Sequence, residues 1–489
     1  MKTQNTQLKP AGPRIASRSA GLLIRPNTYR AAVLALFFYG ATLLSTSAAS
    51  TDTITVINTN DSGPGSLRQA LVNVNDGDTI NFDSSLNGQK ITLTSGQLNL
   101  DKDVTISGPG AKNLAVDGNR RSRVFYVNPG KTVTIDGLTV ANGSSDFYGG
   151  GIYNDSAALT VTNCVLSGNS AYSGGGIRNE SANGGATLTV TNCTISSNSA
   201  AGGGGIANLT SGGDATLMVI NCTISENSGD YDGGDGIANY AYEGDARLTI
   251  TNSTISGNGS PGSLPGGGVS NLADGGIATL TITNSTISGN SAGEGGGASN
   301  EAYNASIATL TITNSTLSGN SAGYGGGGID NYGGLAVVET KNTVFKAGGS
   351  GESIFNYAGT VTSLGYNVSS DDGGGFLTGA GDQINTDPLL GPLQDNGGPT
   401  FTHALLPTSP AINAGDPSFT PPPFYDQRGP GFDRVVNGRI DVGSFEIQSA
   451  PTPTPTPTVT PTPTATPTPT PTPRPSPTPK PRPTPAPRL

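Results

Sequence analysis

The chain has no tryptophan, two methionines, three cysteines and a single histidine in 489 residues. Charged residues make up only 12% and aromatic residues 6%. So little charge excludes a helical bundle, whose solvent faces need Glu, Lys and Arg. Three cysteines without a C-x-x-C pair, and one histidine, exclude a zinc site built from those ligands. A formal net charge of −10 excludes a basic nucleic-acid binder. The charge is unevenly spread. Residues 1–49 carry six Lys/Arg and no acid, and residues 451–489 carry four and no acid. The 15 basic and 35 acidic residues between them give the body a formal −20. Such a body repels nucleic acid and anionic lipid and does not steer a polyanionic substrate.

What is present falls into regions of different physics. Residues 1–49 read as a signal peptide: a basic stretch to Arg30, fourteen mostly apolar residues Ala31–Leu44, then the small residues Ser47-Ala48-Ala49. The run is short for a bilayer span of roughly 20 residues, so no transmembrane domain is expected after cleavage. Residues 449–489 hold 17 of the 35 prolines and 13 threonines and read as a disordered, extended stalk.

The body repeats. The phrase T-N-[CS]-T-[IL]-S places Asn163, Asn192, Asn221, Asn252, Asn284 and Asn314 at steps of 29, 29, 31, 32 and 30, with a degenerate copy at Asn342. A second phrase, G-G-G-[IV]-x-N, gives Ile152/Asn154, Ile177/Asn179, Ile206/Asn208 and later copies. A period near 30, rich in β-branched residues and without helical spacing, implies one β coil per copy. Val161 and Leu166 are five apart, as are Val190 and Ile195, and both members of each pair belong inside. Strict alternation would place them on opposite faces, so the chain must break parity once, at the intervening Asn. The six asparagines are expected to stack as a structural ladder at an inward corner, about 4.8 Å apart. On that reading, sequons such as Asn192-Cys193-Thr194 are unavailable to a glycosyltransferase. Ser66 to Gln69 reads as a capping box opening a short helix that covers the first coil.

These residues carry a resemblance. Thr55–Leu71, the GGGIxN and LTVTNCTISGNSA phrases, and Ser363–Glu446 (SLGYN…NTDPLLGPLQDNGGPTFTHALLPTSPAINAGD…DQRG…GRIDVGSFE) resemble bacterial surface proteins of the pectate-lyase-like type. The last segment is similar to the choice-of-anchor Q domain, and the repeats also resemble the passengers of polymorphic outer membrane proteins. The resemblance implies an all-β fold, a single-stranded right-handed parallel β-helix, with export and a surface location. It implies no particular reaction. The expected organisation is a signal peptide at 1–49 and an N-terminal cap with the first coils at 50–140. Gly/Asn-rich repeats follow at 141–360, a choice-of-anchor Q-like cap at 361–448, and the tail at 449–489.

Candidate chemistry is sparse. Tyr148, Tyr153, Tyr172 and Tyr324 lie in or beside the glycine triplets, where rings on a rod edge can stack on sugars. Tyr240, Tyr242, Tyr303 and Tyr332 follow them. Asp230, Asp232 and Asp235 form the densest acid group, a candidate for Ca²⁺; no other cofactor is expected. Cys164, Cys193 and Cys222 share one repeat position and read as a small-residue ladder rather than a disulfide. Arg178 is the single candidate base among the outward residues of the GGGIxN strands. His403 reads as structural. Asp371-Asp372, Asn385-Thr386-Asp387 and Arg439-Ile440-Asp441 echo the motifs of polysaccharide hydrolases on this fold, but out of order and incomplete. The expected function is therefore a non-catalytic, exported protein of adhesion or glycan binding, its partners glycans or a cell-wall polymer. A polysaccharide lyase or hydrolase, or a purely structural surface-layer component, are the alternatives.

Overall fold

Each copy of the repeat makes one turn of three short strands. In the copy beginning at Ile177 they are Ile177–Ser181, Ala186–Thr191 and Thr194–Ser196. Stacked in parallel and in register, the turns build three sheets of ten, twelve and eleven strands, here sheets 1, 2 and 3 in that order. Ile177 lies beside Ile206, Leu188 beside Leu217 and Ile195 beside Ile224. Their side chains fill one continuous apolar column. The protein is thus the expected right-handed parallel β-helix. The computed structural model describes residues 51–182, 184–259, 265–448, 474 and 476–481. The expected signal peptide and nearly all of the Pro/Thr tail lie outside the described residues.

The parity break falls where the spacing put it. Val161 and Leu166 are both fully buried. Between them Asn163 takes φ +52°, and the corner recurs at Asn192, Asn221, Asn252, Asn284 and Asn314 with φ between +49° and +55°. Asparagine tolerates this left-handed region better than other side chains that carry a Cβ. The inward residue at the corner is the next one. Cys164, Cys193 and Cys222 are buried free thiols, and Ser253, Ser285 and Ser315 continue their column. Each accepts the main-chain N–H of the preceding coil's equivalent: Cys164 N to Cys193 Sγ at 3.3 Å, Cys222 N to Ser253 Oγ at 3.1 Å. Cysteine and serine interchange there because both are small and both accept a hydrogen bond.

This corrects the expected inward asparagine ladder. Asn163 and Asn192 are exposed, Asn221 and Asn252 half-buried, and Asn284 and Asn314 buried, Asn284 beneath the C-terminal segment at Tyr425. Their side-chain bonds are uneven: 3.3 Å from Asn192 to Asn163 and from Asn221 to Asn192, 2.7 Å from Asn284 to Asn252. The ground for dismissing the sequons, burial of the asparagine, therefore fails at Asn192. The tight ladders run elsewhere. Asn154, Asn179, Asn208, Asn239, Asn271, Asn300, Asn331 and Asn356 pass Nδ2 to Oδ1 up the core side of sheet 1 at 2.6 to 2.8 Å. Asn169, Asn198, Asn227, Asn258, Asn290 and Asn320 form a second, at 2.9 to 3.0 Å. In that column each Oδ1 also accepts the main-chain N–H of the preceding asparagine.

The glycine triplets fold the chain onto itself. Gly174 has φ +68°, and a Cβ there would meet Arg178 Cβ at 2.7 Å. A Cβ on Gly175 or Gly176 would sit 2.5 Å from a carbonyl oxygen of the next coil. The segment before each triplet thus lies as a strap across the outer side of sheet 1. At the N-terminal end the helix Leu67–Asn73 buries Leu67, Ala70 and Leu71 against the first coils, and Ser66 Oγ accepts from Gln69 N. Gln69 does not return the bond; its amide donates to Asn73. At the other end Leu377, in the segment after residue 361, joins the main core. The segment then turns back along the side of the rod. Thr254 Oγ1 donates to Phe401 O at 2.6 Å, Thr286 Oγ1 to Gln427 Oε1 at 2.6 Å, and Ser444 N to Thr316 Oγ1 at 3.0 Å. Sheet 3 is covered by these contacts over the coils of Thr254 to Thr316.

Replacing Asn239 by alanine orphans an Asn271 oxygen in the core and leaves the Asn208 amide only long bonds to Ala215 O and Arg247 O, and should cost about 2 kcal/mol in urea unfolding. Asn192→Gly keeps the left-handed corner and loses only two long exposed bonds, so its midpoint should stay within about 0.5 kcal/mol of wild type. Thiol titration should find no reactive cysteine in the native protein and all three after denaturation.

Candidate functional site

The strap turns the outer side of sheet 1 into a second, partly buried layer. Arg178, Ala207, Ala238, Ser270, Ser299 and Asp330, read from the sequence as outward-facing, are all buried beneath it. Tyr153 is half-buried and Phe355 exposed. Where the straps leave a gap, the side chains form a groove of about 250 Å³. It is lined by Tyr148, Tyr172, Ser173, Arg178, Glu180, Leu209, Ser211, Tyr240 and Tyr242.

Arg178 is the floor of this groove. Its Nε donates to Glu180 Oε2 at 2.9 Å and its Nη1 to Ser173 Oγ at 2.5 Å, and the guanidinium lies 3.9 Å from the Tyr148 ring centroid. Glu180 follows Arg178 by two, so period-2 alternation puts both on the same face. Tyr153 donates its hydroxyl to Glu180 at 2.8 Å. Burial works to raise the Glu180 carboxyl, but the Arg178 bond and charge hold it below the ordinary range. Burial, then the bond to Glu180, pushes the Tyr153 phenol far up. Tyr148 and Tyr126 pack on Tyr153 with centroids at 5.7 and 5.4 Å, and Arg123 sits 5.0 Å over the Tyr153 ring. Tyr240 and Tyr242 meet edge to face at 6.0 Å on the opposite wall.

Three of the four sequence-selected tyrosines, Tyr148, Tyr153 and Tyr172, therefore come together, and Tyr240 and Tyr242 join them. Tyr324 does not. It precedes the strand Gly326–Tyr332, five coils along sheet 1, and is 79% exposed. Tyr303, Tyr332 and Tyr357 form a separate stack nearby, with centroids at 5.6 and 5.2 Å. Glu180, Tyr126, Leu209 and Tyr357 were missed by sequence reasoning. For Glu180, Leu209 and Tyr357 the available signal was the second outward position of each GGGIxN strand, two residues after the first; Tyr126 instead pairs with Tyr153 at the first outward position, on the coil before those strands.

The other candidates are structural where they are described. Asp235 is fully buried and its carboxylate accepts from Gly229 N, inside the strap. The side chains of Asp230 and Asp232 lie outside the described residues. Among the described residues no three His, Cys, Asp or Glu groups converge as metal ligands. His403 is buried between Ser288 Oγ at 2.9 Å and Gly391 O at 2.7 Å, and its pKa is lowered by burial. Asp371 accepts from Ser353 N and Ser369, Asp387 pairs with Lys346 at 3.0 Å, and Asp441 accepts from Asn413 N and Ile447 N. Each serves the cap rather than a cleft. The D-Q-R-G stretch does the same. Gln427 bonds Thr254 and Thr286 on sheet 3, while Asp426 clamps Arg428 at 2.6 Å between the Phe432 and Phe445 rings.

A second group of acids lies under the straps farther along sheet 1. Glu301 and Asp330 are each 2% exposed on neighbouring coils. Glu301 Oε2 accepts from Tyr303 at 2.7 Å, and Asp330 Oδ1 from Gly326 N at 3.2 Å. Burial pushes Glu301 up to about 7 and Asp330 up to about 6, and the charge of Glu294 adds to both.

No known protein family matches this sequence, and no curated protein matches it. Among solved structures, the crystal structure of pectate lyase Pel9A is similar in fold. The TM-score is 0.52 at 18% identity, over 81% of this chain and 97% of that one. The likeness is one of architecture: a pectate-lyase-like parallel β-helix.

Raised acids bind more protons folded than unfolded, so their contribution is complete below the unfolded pKa and fades as pH climbs through 6 to 7. The thermal midpoint should therefore fall between about pH 5 and pH 8, and Glu301→Gln should flatten that fall. An unchanged pH slope in the variant would contradict the assignment.

Proposed function

We propose that this chain is an exported, non-catalytic β-helix protein of the cell surface or the extracellular space that binds neutral glycans through the groove on sheet 1. The observation that carries the reading is the lining itself. The exposed rings of Tyr148, Tyr172 and Tyr242, with the buried Tyr240 behind them, flank an Arg178–Glu180 pair whose charges cancel. Exposed aromatic faces with a few fixed polar groups are what a pyranose ring needs: apolar C–H faces on one side, hydroxyls to bond on the other.

The same site argues against turnover. Arg178 gives Nε to Glu180, Nη1 to Ser173 and its face to Tyr148, so it serves as an ion-pair partner rather than a base. Glu180 is held ionised by Arg178, so it is no general acid. Pectate, the substrate named for the structural neighbour, is a polyanion and would meet an acidic body and an already neutralised arginine. Export is supported by the signal-like residues 1–49. Surface attachment is supported by the resemblance of Ser363–Glu446 to the choice-of-anchor Q domain and of the repeats to polymorphic outer membrane protein passengers.

A glycan array probed with the purified chain should retain neutral oligosaccharides. Tyr172→Ala or Tyr242→Ala should weaken that binding by about fivefold each, since each aromatic contact is worth about 1 kcal/mol. Tyr324→Ala should leave it unchanged. An assay for unsaturated uronic products should stay blank. Turnover of any uronic polymer, or an empty array, would overturn the reading.

A further inference from the structure

Sheet 2 carries a surface that the groove does not use. Over seven consecutive coils, from Thr132–Asp136 to Ile307–Thr313, each strand turns three residues outward at positions i, i+2 and i+4, and the last three strands add Asp245, Ile277 and Ile307 at the edge before them. In-register pairing aligns the three into columns. All but five of these positions are threonine; the exceptions are Asp136, Ala158, Met218, Ile220 and Arg247. The last two coils read Thr-x-Thr-x-Thr without a break. Threonine suits any exposed strand position, yet an ordinary protein surface is roughly a quarter to a third charged. Here the two charges are engaged at the margin: Asp136 accepts from Asn163 at 2.8 Å and Arg247 pairs with Asp245 at 2.6 Å. In a body of formal charge −20 this face is neutral.

Its geometry is regular in two directions. Strands repeat at about 4.8 Å, and alternate residues along a strand at about 6.7 Å. Threonine is stiff at χ1, so each position offers a hydroxyl and a methyl in a fixed orientation. The hydroxyls of Thr283 and Thr313 lie 3.3 Å apart across the coils. Stacked, laddered coils are the setting in which a sheet stays flat over many strands. On sheet 3, by contrast, the outward threonines bond the returning C-terminal segment. Among the described residues nothing bonds the sheet 2 columns in that way.

An uncharged mesh of hydroxyls and methyls that repeats in two directions at intervals of a few ångströms can present oxygens in an ordered array to an ice surface. We propose that the outer face of sheet 2 binds ice: its hydroxyls take lattice positions, and the methyls order the water between them. Neutrality is the complementarity that counts, because a free charge would impose its own hydration shell on the lattice.

The test uses the full chain in a nanolitre osmometer and an ice-partition assay. The wild type should facet growing ice crystals, open a gap between melting and freezing, and concentrate in slowly grown ice. Thr281→Tyr, which stands proud of the mesh, should lose all three effects. Thr311→Val keeps the shape and removes one hydroxyl; it guards against a folding artefact and should narrow the gap. Tyr172→Ala, in the sheet 1 groove, should leave ice activity intact. Absence of faceting and of any gap in the wild type would overturn the proposal. So would a correctly folded Thr281→Tyr, by circular dichroism, that retains full activity.

Discussion

Each turn of the rod rests on an almost identical turn, and every polar group that faces the interior must be satisfied by its own counterpart one step away. That constraint selects asparagine. Its side chain carries a donor and an acceptor on one planar amide, so the bond from Asn208 to Asn239 can be repeated from Asn239 to Asn271 without limit. A carboxylate could only accept and a lysine only donate; stacked copies of either would repel. Two such columns, with the buried Cys/Ser column, hold coils together that otherwise share only main-chain bonds and an apolar core.

Glycine answers the complementary demand of close approach. Gly175 and Gly176 let the strap settle within carbonyl distance of the next coil. The strap in turn decides what the outer side of sheet 1 becomes. Beneath it the first outward column is small or bonded, as at Ala207, Ala238 and Ser270. Where Arg178 occupies that column the strap bonds it through Ser173, and the guanidinium becomes the floor of the groove. The site is thus a local exception to the packing rule of the rod, positioned by side-chain size.

Most of the architecture was legible. The five-residue interval from Val161 to Leu166 located the corner, and the left-handed φ of Asn163 is the predicted physics. The error lay in its direction. A left-handed residue can turn its side chain out while the next one points in, and a spacing argument fixes where parity breaks but not which of the two residues faces the core. The phrases GGGIxN and SGNS held the true ladders in plain view. Their asparagines follow Ile177 and Ile195 at even and odd intervals, and only the coil geometry shows both to be interior. Of the site, the tyrosines were legible because rings beside glycines stand out; Glu180 was not, because an acid two residues from a base looks like ordinary surface.

Periodicity by itself determined one coil per copy, the parallel stacking and the apolar lining, because a translational repeat leaves a hydrophobic face only one way to be buried. It also determined the threonine columns, since in-register strands turn a sequence repeat into a surface lattice. Tertiary structure alone decided what the straps and the C-terminal segment cover. Whether Arg178 meets solvent, and whether Thr286 bonds Gln427 or water, depends on chain 5 residues away in one case and 141 in the other. Such contacts are set by where non-repeating segments run, and a repeat carries no information about them.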